Sequence, residues 1–236
     1  MRKRQTRHFI FFIVCIVAIS CQKKEEVSLS EMALIPEGEF IMGSNEGDVD
    51  EGPERKVFLK SFLIDKYVIT NEQYKKFVVA TNRPEPKNWF FTGYDTKLKD
   101  HPVSFVDFKN AKAYCAWLGK RLPTEEEWEK AARGTDGRKY PWGNHFDKSK
   151  ANTSLGGIMG TVPVGSYSLG QSPYGVFNMA GNVWEWTSSR GESDEKMIVK
   201  GGSWGLSHRF SRSFSRVEYE TKARVNNVGF RCALEK

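Results

Sequence analysis

A carboxylate set between two tryptophans is the arrangement in this chain best suited to chemistry. Residues 178–186 read Asn-Met-Ala-Gly-Asn-Val-Trp-Glu-Trp, and Lys200-Gly-Gly-Ser-Trp204 and Val228-Gly-Phe-Arg-Cys232 follow. The Glu185 carboxylate and the asparagine oxygens are hard ligands, suited to a cation that wants about six to eight oxygens. The same residues also suit a fixed core, with Glu185 paired to an arginine and Asn178 capping a turn. Both readings stay open at this level.

Other chemistries lack parts. Gly201-Gly-Ser-Trp-Gly205 has the spacing of a nucleophile elbow, which needs an acid and then a histidine after the serine. Beyond Ser203 the chain offers one histidine, His208, and no aspartate. His101, His145 and His208 lie far apart with no i,i+4 pair, so a zinc or iron site has no local support.

The elements that must position these residues show in the capping and turn signals. Residues 32–43 read as two short strands around a Pro36-Glu37-Gly38 turn, a hairpin. Residues 44–56 are acidic and glycine-rich, an exposed loop by composition, and 57–67 alternate like one strand. Thr70 caps a helix to about Ala80. Asp107 caps a second, ended by Gly119, and Thr124 with Glu127 forms a capping box for a third that stops before Gly134. Residues 82–100 predict a long loop near a functional face, with Trp89, Phe90 and Phe91 as contributors. Beyond Gly134 the pattern predicts turns, irregular loops and short strands.

Arg2, Lys3, Arg4 and Arg7 precede an apolar run from Phe9 to Ile19 and then Ser20-Cys21. This is the layout of a secretory signal, with about half the roughly 20 apolar residues of a membrane span. Val17-Ala18-Ile19-Ser20-Cys21 resembles the lipobox of bacterial lipoproteins, with Ala18 where leucine is usual. Residues 1–20 are thus expected to be a signal peptide, 21–33 a lipidated N-terminus and linker with Cys21 the lipid site, and 34–236 one domain. The implied location is a bacterial cell envelope, membrane-anchored after export. The formal charge of +7 falls to about +3 once the four basic residues of the signal are removed. Such a mild balance, with no basic block interleaved with aromatics, speaks against a nucleic-acid partner. Seven Trp, eight Tyr and sixteen Phe beside twenty-one Gly predict an aromatic core joined by many turns. Cys115 and Cys232 remain for the folded body, either paired or as two buried thiols. A bridge between them would close a loop of about 117 residues, worth nominally ~4–5 kcal/mol.

A longer set of motifs then adds a resemblance. Residues 35–43, His101-Pro-Val-Ser104, Ala113-Tyr-Cys-Ala-Trp117, residues 120–129, Tyr140-Pro-Trp-Gly143, Tyr174-Gly175, residues 178–186, Gly201-Gly-Ser-Trp204 and Gly229-Phe-Arg-Cys232 occur in the order seen in formylglycine-generating enzymes, the sulfatase-modifying factors. The likeness covers nearly all of residues 34–234. It implies a single α+β domain of low regular secondary structure, a variant of the C-type lectin fold. It further implies a Cys115–Cys232 disulfide and structural calcium at Asn178, Gly181, Val183 and Glu185. A second calcium site of the family begins at positions matching Asn152 and Thr153, but residues 155–164 lack the carboxylate it needs.

The family's oxidation of a substrate cysteine uses two cysteines that bind copper between the Gly-Gly-Ser and Gly-Phe-Arg motifs. Soft thiolates hold Cu(I), whereas hydroxyl oxygens hold it poorly. Residues 201–231 contain no cysteine, and the two positions fall on or near His208 and Ser213. These residues speak against copper. The expectation is a non-oxidising envelope lipoprotein that presents a degenerate cleft, lined by Trp204, His208, Arg212, Ser213 and Arg216, to a peptide, glycan or partner protein. The alternative is a formylglycine-generating oxidase, or a related metal-dependent enzyme acting on protein cysteine.

Overall fold

Three helices start where their capping residues place them. In the computed structural model, which describes residues 31–89 and 94–236, α1 spans Asn71–Thr81, α2 Phe108–Trp117 and α3 Glu125–Arg133. Thr70 Oγ1 accepts from the Gln73 N–H while Gln73 Oε1 accepts from the Thr70 N–H. Thr124 and Glu127 exchange the same pair of bonds, and Asp107 Oδ1 accepts from the Asn110 N–H. Each cap satisfies backbone donors that have no partner within the helix. The expected signal peptide, Cys21, most of the expected linker, Phe90 and Phe91 lie outside the described residues.

The strands depart from the expected hairpin. β1 (Met32–Ile35) pairs antiparallel with β4 (Phe62–Asp65), and β2 (Gly38–Met42) pairs antiparallel with β3 (Arg55–Leu59). Ile35 opposes Phe62 and Gly38 opposes Leu59, so one ribbon keeps its register across a break. Pro36 lies at that break and has no N–H to give the ladder. It therefore bends the ribbon between two sheets instead of reversing the chain, and residues 57–67 become parts of two strands. Met32 and Ala33, expected in the linker, are buried in β1.

Residues after α3 supply β5 (Trp184–Arg190), β6 (Lys196–Lys200), β7 (Arg216–Glu220), β8 (Val228–Gly229) and β9 (Ala233–Glu235). The first sheet runs β1-β4-β9 and the largest runs β7-β6-β5-β8, with β5 and β8 parallel. Two apolar cores result. One gathers Tyr74, Phe77, Tyr114, Trp184, Trp186 and Phe230 around Cys115 and Cys232; the other packs Ile35, Phe62, Ile64, Trp128 and Met179.

Trp89, expected on a functional face, belongs to the first core. It is only 6% exposed, lies edge-on to Tyr74, and its Nε1 donates to Asn71 Oδ1 at 3.1 Å. An indole with its one donor satisfied internally gains more from burial than from a wet groove.

Cys115 and Cys232 form a disulfide with Cα atoms 5.6 Å apart, 117 residues apart in sequence. It joins α2 to the short segment between β8 and β9. The Cys115→Ala/Cys232→Ala double variant is expected to lose about 2–5 kcal/mol of stability, read from urea unfolding midpoints. An unchanged midpoint would count against this role.

Candidate functional site

The segment from Asn178 to Glu185 turns sharply before entering β5. Asn178 and Asn182 take positive φ, as does Gly181, and asparagine tolerates that region better than most residues. A Cβ on Gly181 would run into the Asn152 carbonyl, which accepts the Asn182 N–H at 2.8 Å. The glycine thus lets residues 152–153 lie directly against this turn, and the two expected calcium segments become neighbours.

Their donor atoms divide into two kinds. Asn178 Oδ1, Asn152 Oδ1 and Thr153 Oγ1 are buried with no hydrogen-bond partner. Such orphaned oxygens cost free energy and fit an oxygen-loving cation. Glu185 is already engaged. Its Oε2 accepts from Trp128 Nε1 at 2.8 Å and from Arg231 Nε at 2.7 Å, and its Oε1 accepts from Arg231 Nη2 at 2.8 Å. A carboxylate offers about four lone pairs, so roughly one is left for an ion. The Thr153 carbonyl accepts from the Gly156 N–H at 2.9 Å.

Segment 201–216, which carries the residues expected to line a degenerate cleft, packs against two other segments, 44–54 and 137–146. Gly202 takes a positive φ of 73°, and a Cβ there would lie 2.6 Å from Ser211 Oγ and 2.7 Å from the Phe210 carbonyl. Ser211 and Ser213 are fully buried, and neither hydroxyl has a hydrogen-bond partner. The Ser213 N–H donates to the Lys139 carbonyl at 2.7 Å. His208 Nδ1 lies 2.9 Å from the Tyr140 hydroxyl, and its ring stacks on Phe146 at 4.7 Å. Burial pushes the Tyr140 phenol up, so it stays protonated at neutral pH. Trp204 is half-buried and donates its N–H to the Asn182 carbonyl.

Arg212 and Arg216 do not present free guanidiniums to the cleft. The acidic segment, exposed over most of its length as expected, runs beside them and sends Glu51 inward. Glu51 is buried and takes Arg212 Nη2 at 3.0 and 2.8 Å and Ser215 Oγ at 2.6 Å. Asp48 pairs with Arg209, Glu46 with Lys139 at 2.5 Å, and Arg216 with Glu125 at 3.2 Å. Behind this strap, fully buried Lys200 bonds Glu129 at 2.9 Å, and Glu129 also holds Arg133 and the Gly43 N–H. Glycines and acids alone read as solvated loop; the matching cation on a distant segment is what makes Glu51, alone among the acids of that segment, interior.

Sequence reasoning missed the rings. Tyr140 and Trp142 stack at 5.4 Å with 10° between planes, and Phe146 completes the group with His208. The signal was the aromatic pair in Tyr140-Pro-Trp-Gly143 with Phe146 shortly after, which reads as turn chemistry when taken alone.

Few helices, short mixed sheets, long ordered loops and a cysteine-free cleft define a formylglycine-generating-enzyme-like variant of the C-type lectin fold without the thiolate pair. Residues 18–236 match the sulfatase-modifying factor enzyme 1-like domain, and the chain belongs to that family. It is 34% identical to the inactive C-alpha-formylglycine-generating enzyme 2 of Bos taurus, covering 86% of this chain and 87% of that one. It is 32% identical to the formylglycine-generating enzyme of Thermomonospora curvata, over 86% and 93% of the two chains. Among solved structures, PvdO from Pseudomonas aeruginosa superposes with a TM-score of 0.74 at 28% identity, covering 87% of this chain and 94% of PvdO.

The Glu185–Arg231 pair yields a direct test. Glu185→Gln is expected to cost about 3–5 kcal/mol in chemical denaturation because it leaves a buried guanidinium uncompensated. Glu185→Asp, which keeps the negative charge beside Arg231, should lose clearly less. Equal losses would mean that packing, not charge pairing, holds this region.

Proposed function

We propose that this protein is a non-oxidising member of the family that binds a ligand at the degenerate cleft while held to the cell envelope by lipid on Cys21. The observation that carries this reading is the fate of the cysteines. Cys115 and Cys232 are joined in a disulfide, and residues 201–231 hold none, so the described residues offer no thiolate for Cu(I). Where the oxidation chemistry would sit, the chain places a histidine bonded to a tyrosine and buried serines. The similarity to an inactive relative in Bos taurus supports the same reading.

Purified protein is expected to bind no stoichiometric copper and to consume no oxygen with a cysteine-containing sulfatase-motif peptide. Stoichiometric copper with oxygen uptake on that peptide would overturn the proposal. Cys21→Ser is expected to move the protein from the membrane fraction to the soluble fraction; unchanged partitioning would remove the anchor from the reading.

Calcium enters as a stiffener of the scaffold. Asn178 Oδ1 and the Gly181 and Val183 carbonyls would hold it with the remaining lone pair of Glu185, and the ion would satisfy the Asn178 oxygen left orphaned. Because Arg231 already neutralises Glu185, affinity should be modest. Adding calcium to chelator-treated protein is expected to raise the melting temperature, and Asn178→Ala should abolish that rise. A melting temperature indifferent to calcium would remove the ion.

A further inference from the structure

Beside His208 the surface opens into a depression of about 640 Å³ lined by Trp142, Phe146, Asn144, His145, Lys148 and Lys150 among others. That volume lies within the range of about 300–1,000 Å³ common to small-ligand sites. Its aromatic walls are fixed from behind. Trp142 stacks on Tyr140, Phe146 stacks on His208, and the Tyr140 hydroxyl meets His208 Nδ1, so both walls belong to one ring assembly. Trp142 Nε1 donates to the His145 carbonyl at 2.9 Å, which holds the indole in place. Trp142 and Phe146 have centroids 6.3 Å apart and planes inclined at 54°, forming an angled pair.

The rim around these rings is rich in donors. Asn144 is exposed and its Oδ1 accepts from the Lys139 N–H at 3.0 Å, which leaves its amide N–H groups as donors. Lys148 is exposed, and among the described residues its ammonium has no internal partner. The one carboxylate of the lining, Asp147, stays ionised and is shared by Ser149 and Lys150, so the lining sets two ammonium groups against one carboxylate. Its Oδ1 accepts from the Ser149 N–H and hydroxyl, and its Oδ2 lies 3.7 Å from Lys150. These contacts hold its pKa below the usual carboxylate range, Ser149 contributing most. A ligand that suits this site carries a flat apolar face for the rings and acceptors or negative charge for the rim.

We infer that this depression is a subsite for an anionic glycan, whose pyranose C–H face stacks on Trp142 and Phe146 while a carboxylate or sulfate ester meets Lys148. The inference deepens the ligand-binding reading above and rests on it. A pyranose ring meets both demands at once, since its axial C–H groups form an apolar face and its equatorial substituents point to the rim. An aliphatic ligand would leave the donors unpaired, which costs affinity. Arg209, Arg212 and Lys139 nearby are held by Asp48, Glu51 and Glu46, so the uncommitted charge is on the Lys148 side.

The test uses the full chain and follows the Trp142 indole N–H by NMR, assigned with Trp142→Phe. Three probes are titrated: trigalacturonate, its methyl ester, and a sulfated galactose disaccharide. Saturable shifts are expected with an anionic sugar, and binding of the methyl ester should be weaker by about threefold or more, as befits one exposed ion pair. Lys148→Gln should weaken the anionic sugar to the same degree, and Phe146→Leu should weaken it about tenfold, as for a central aromatic anchor. Lys148 is exposed, so its variant tests the site without disturbing the fold. Binding of the carboxylated or the sulfated probe alone supports the inference and identifies the anion. No shift with either, or binding insensitive to both substitutions and to esterification, overturns it. If an acidic aromatic peptide shifts the same indole while both sugars fail, the glycan assignment falls and ligand binding at the cleft stands. If peptide and sugars all fail, both fall.

Discussion

Arg231 is the point on which the rest of the molecule hangs. It is fully buried, and its five N–H donors meet five acceptor contacts: two with Glu185, and one each with the Asp65, Lys66 and Phe177 carbonyls. Glu185 in turn takes Trp128 of α3. One guanidinium therefore joins the end of β4, the turn before residue 178, the start of β5 and, through the carboxylate, the third helix. A chain with so little regular structure has few ladders to fix its loops, and this planar fork supplies directional constraint where apolar packing alone would be permissive.

The second ionic system serves a different end. Lys200, Glu129 and Arg133 form a buried knot, and Glu51 with Arg212 extends it outward beneath the cleft. Charges that would attract a ligand are neutralised from within by the chain's own acidic strap. What the cleft leaves open to solution is a ring assembly and a few rim donors. The absence of both thiolates thus goes together with a region whose guanidinium and ammonium groups are already paired from within.

Much of the fold was legible because its helices announce themselves. Thr70, Asp107 and Thr124 are local signals, and local signals survive without knowledge of tertiary contacts. The ordered glycine, tryptophan and cysteine motifs were legible for a similar reason, since each reports a backbone or packing demand at one place. The Pro36 bend was misread because a turn signal does not say which strand the chain will meet next. The strap at Glu51 was misread because burial of an acid depends on cations some 160 residues away. Glu185 carried two readings in the sequence, and the proximity of Arg231 is visible only when β5 and β8 lie side by side.

The disulfide and the two sheets share one further property. β4 is flanked by β1 on one side and by β9 on the other, β5 needs β8, and Cys115 needs Cys232. Apart from the β1–β4 pairing, every one of these closures uses residues 228–235. In folding, then, the C-terminal segment must dock before either of these sheets can be completed, and one edge of β4 stays unpaired until β9 arrives. Such long-range pairing makes for slow folding. It also leaves an interval in which an open strand edge is exposed to other chains, so the late docking of the last strand, as much as the final contacts, governs whether this sequence reaches its structure.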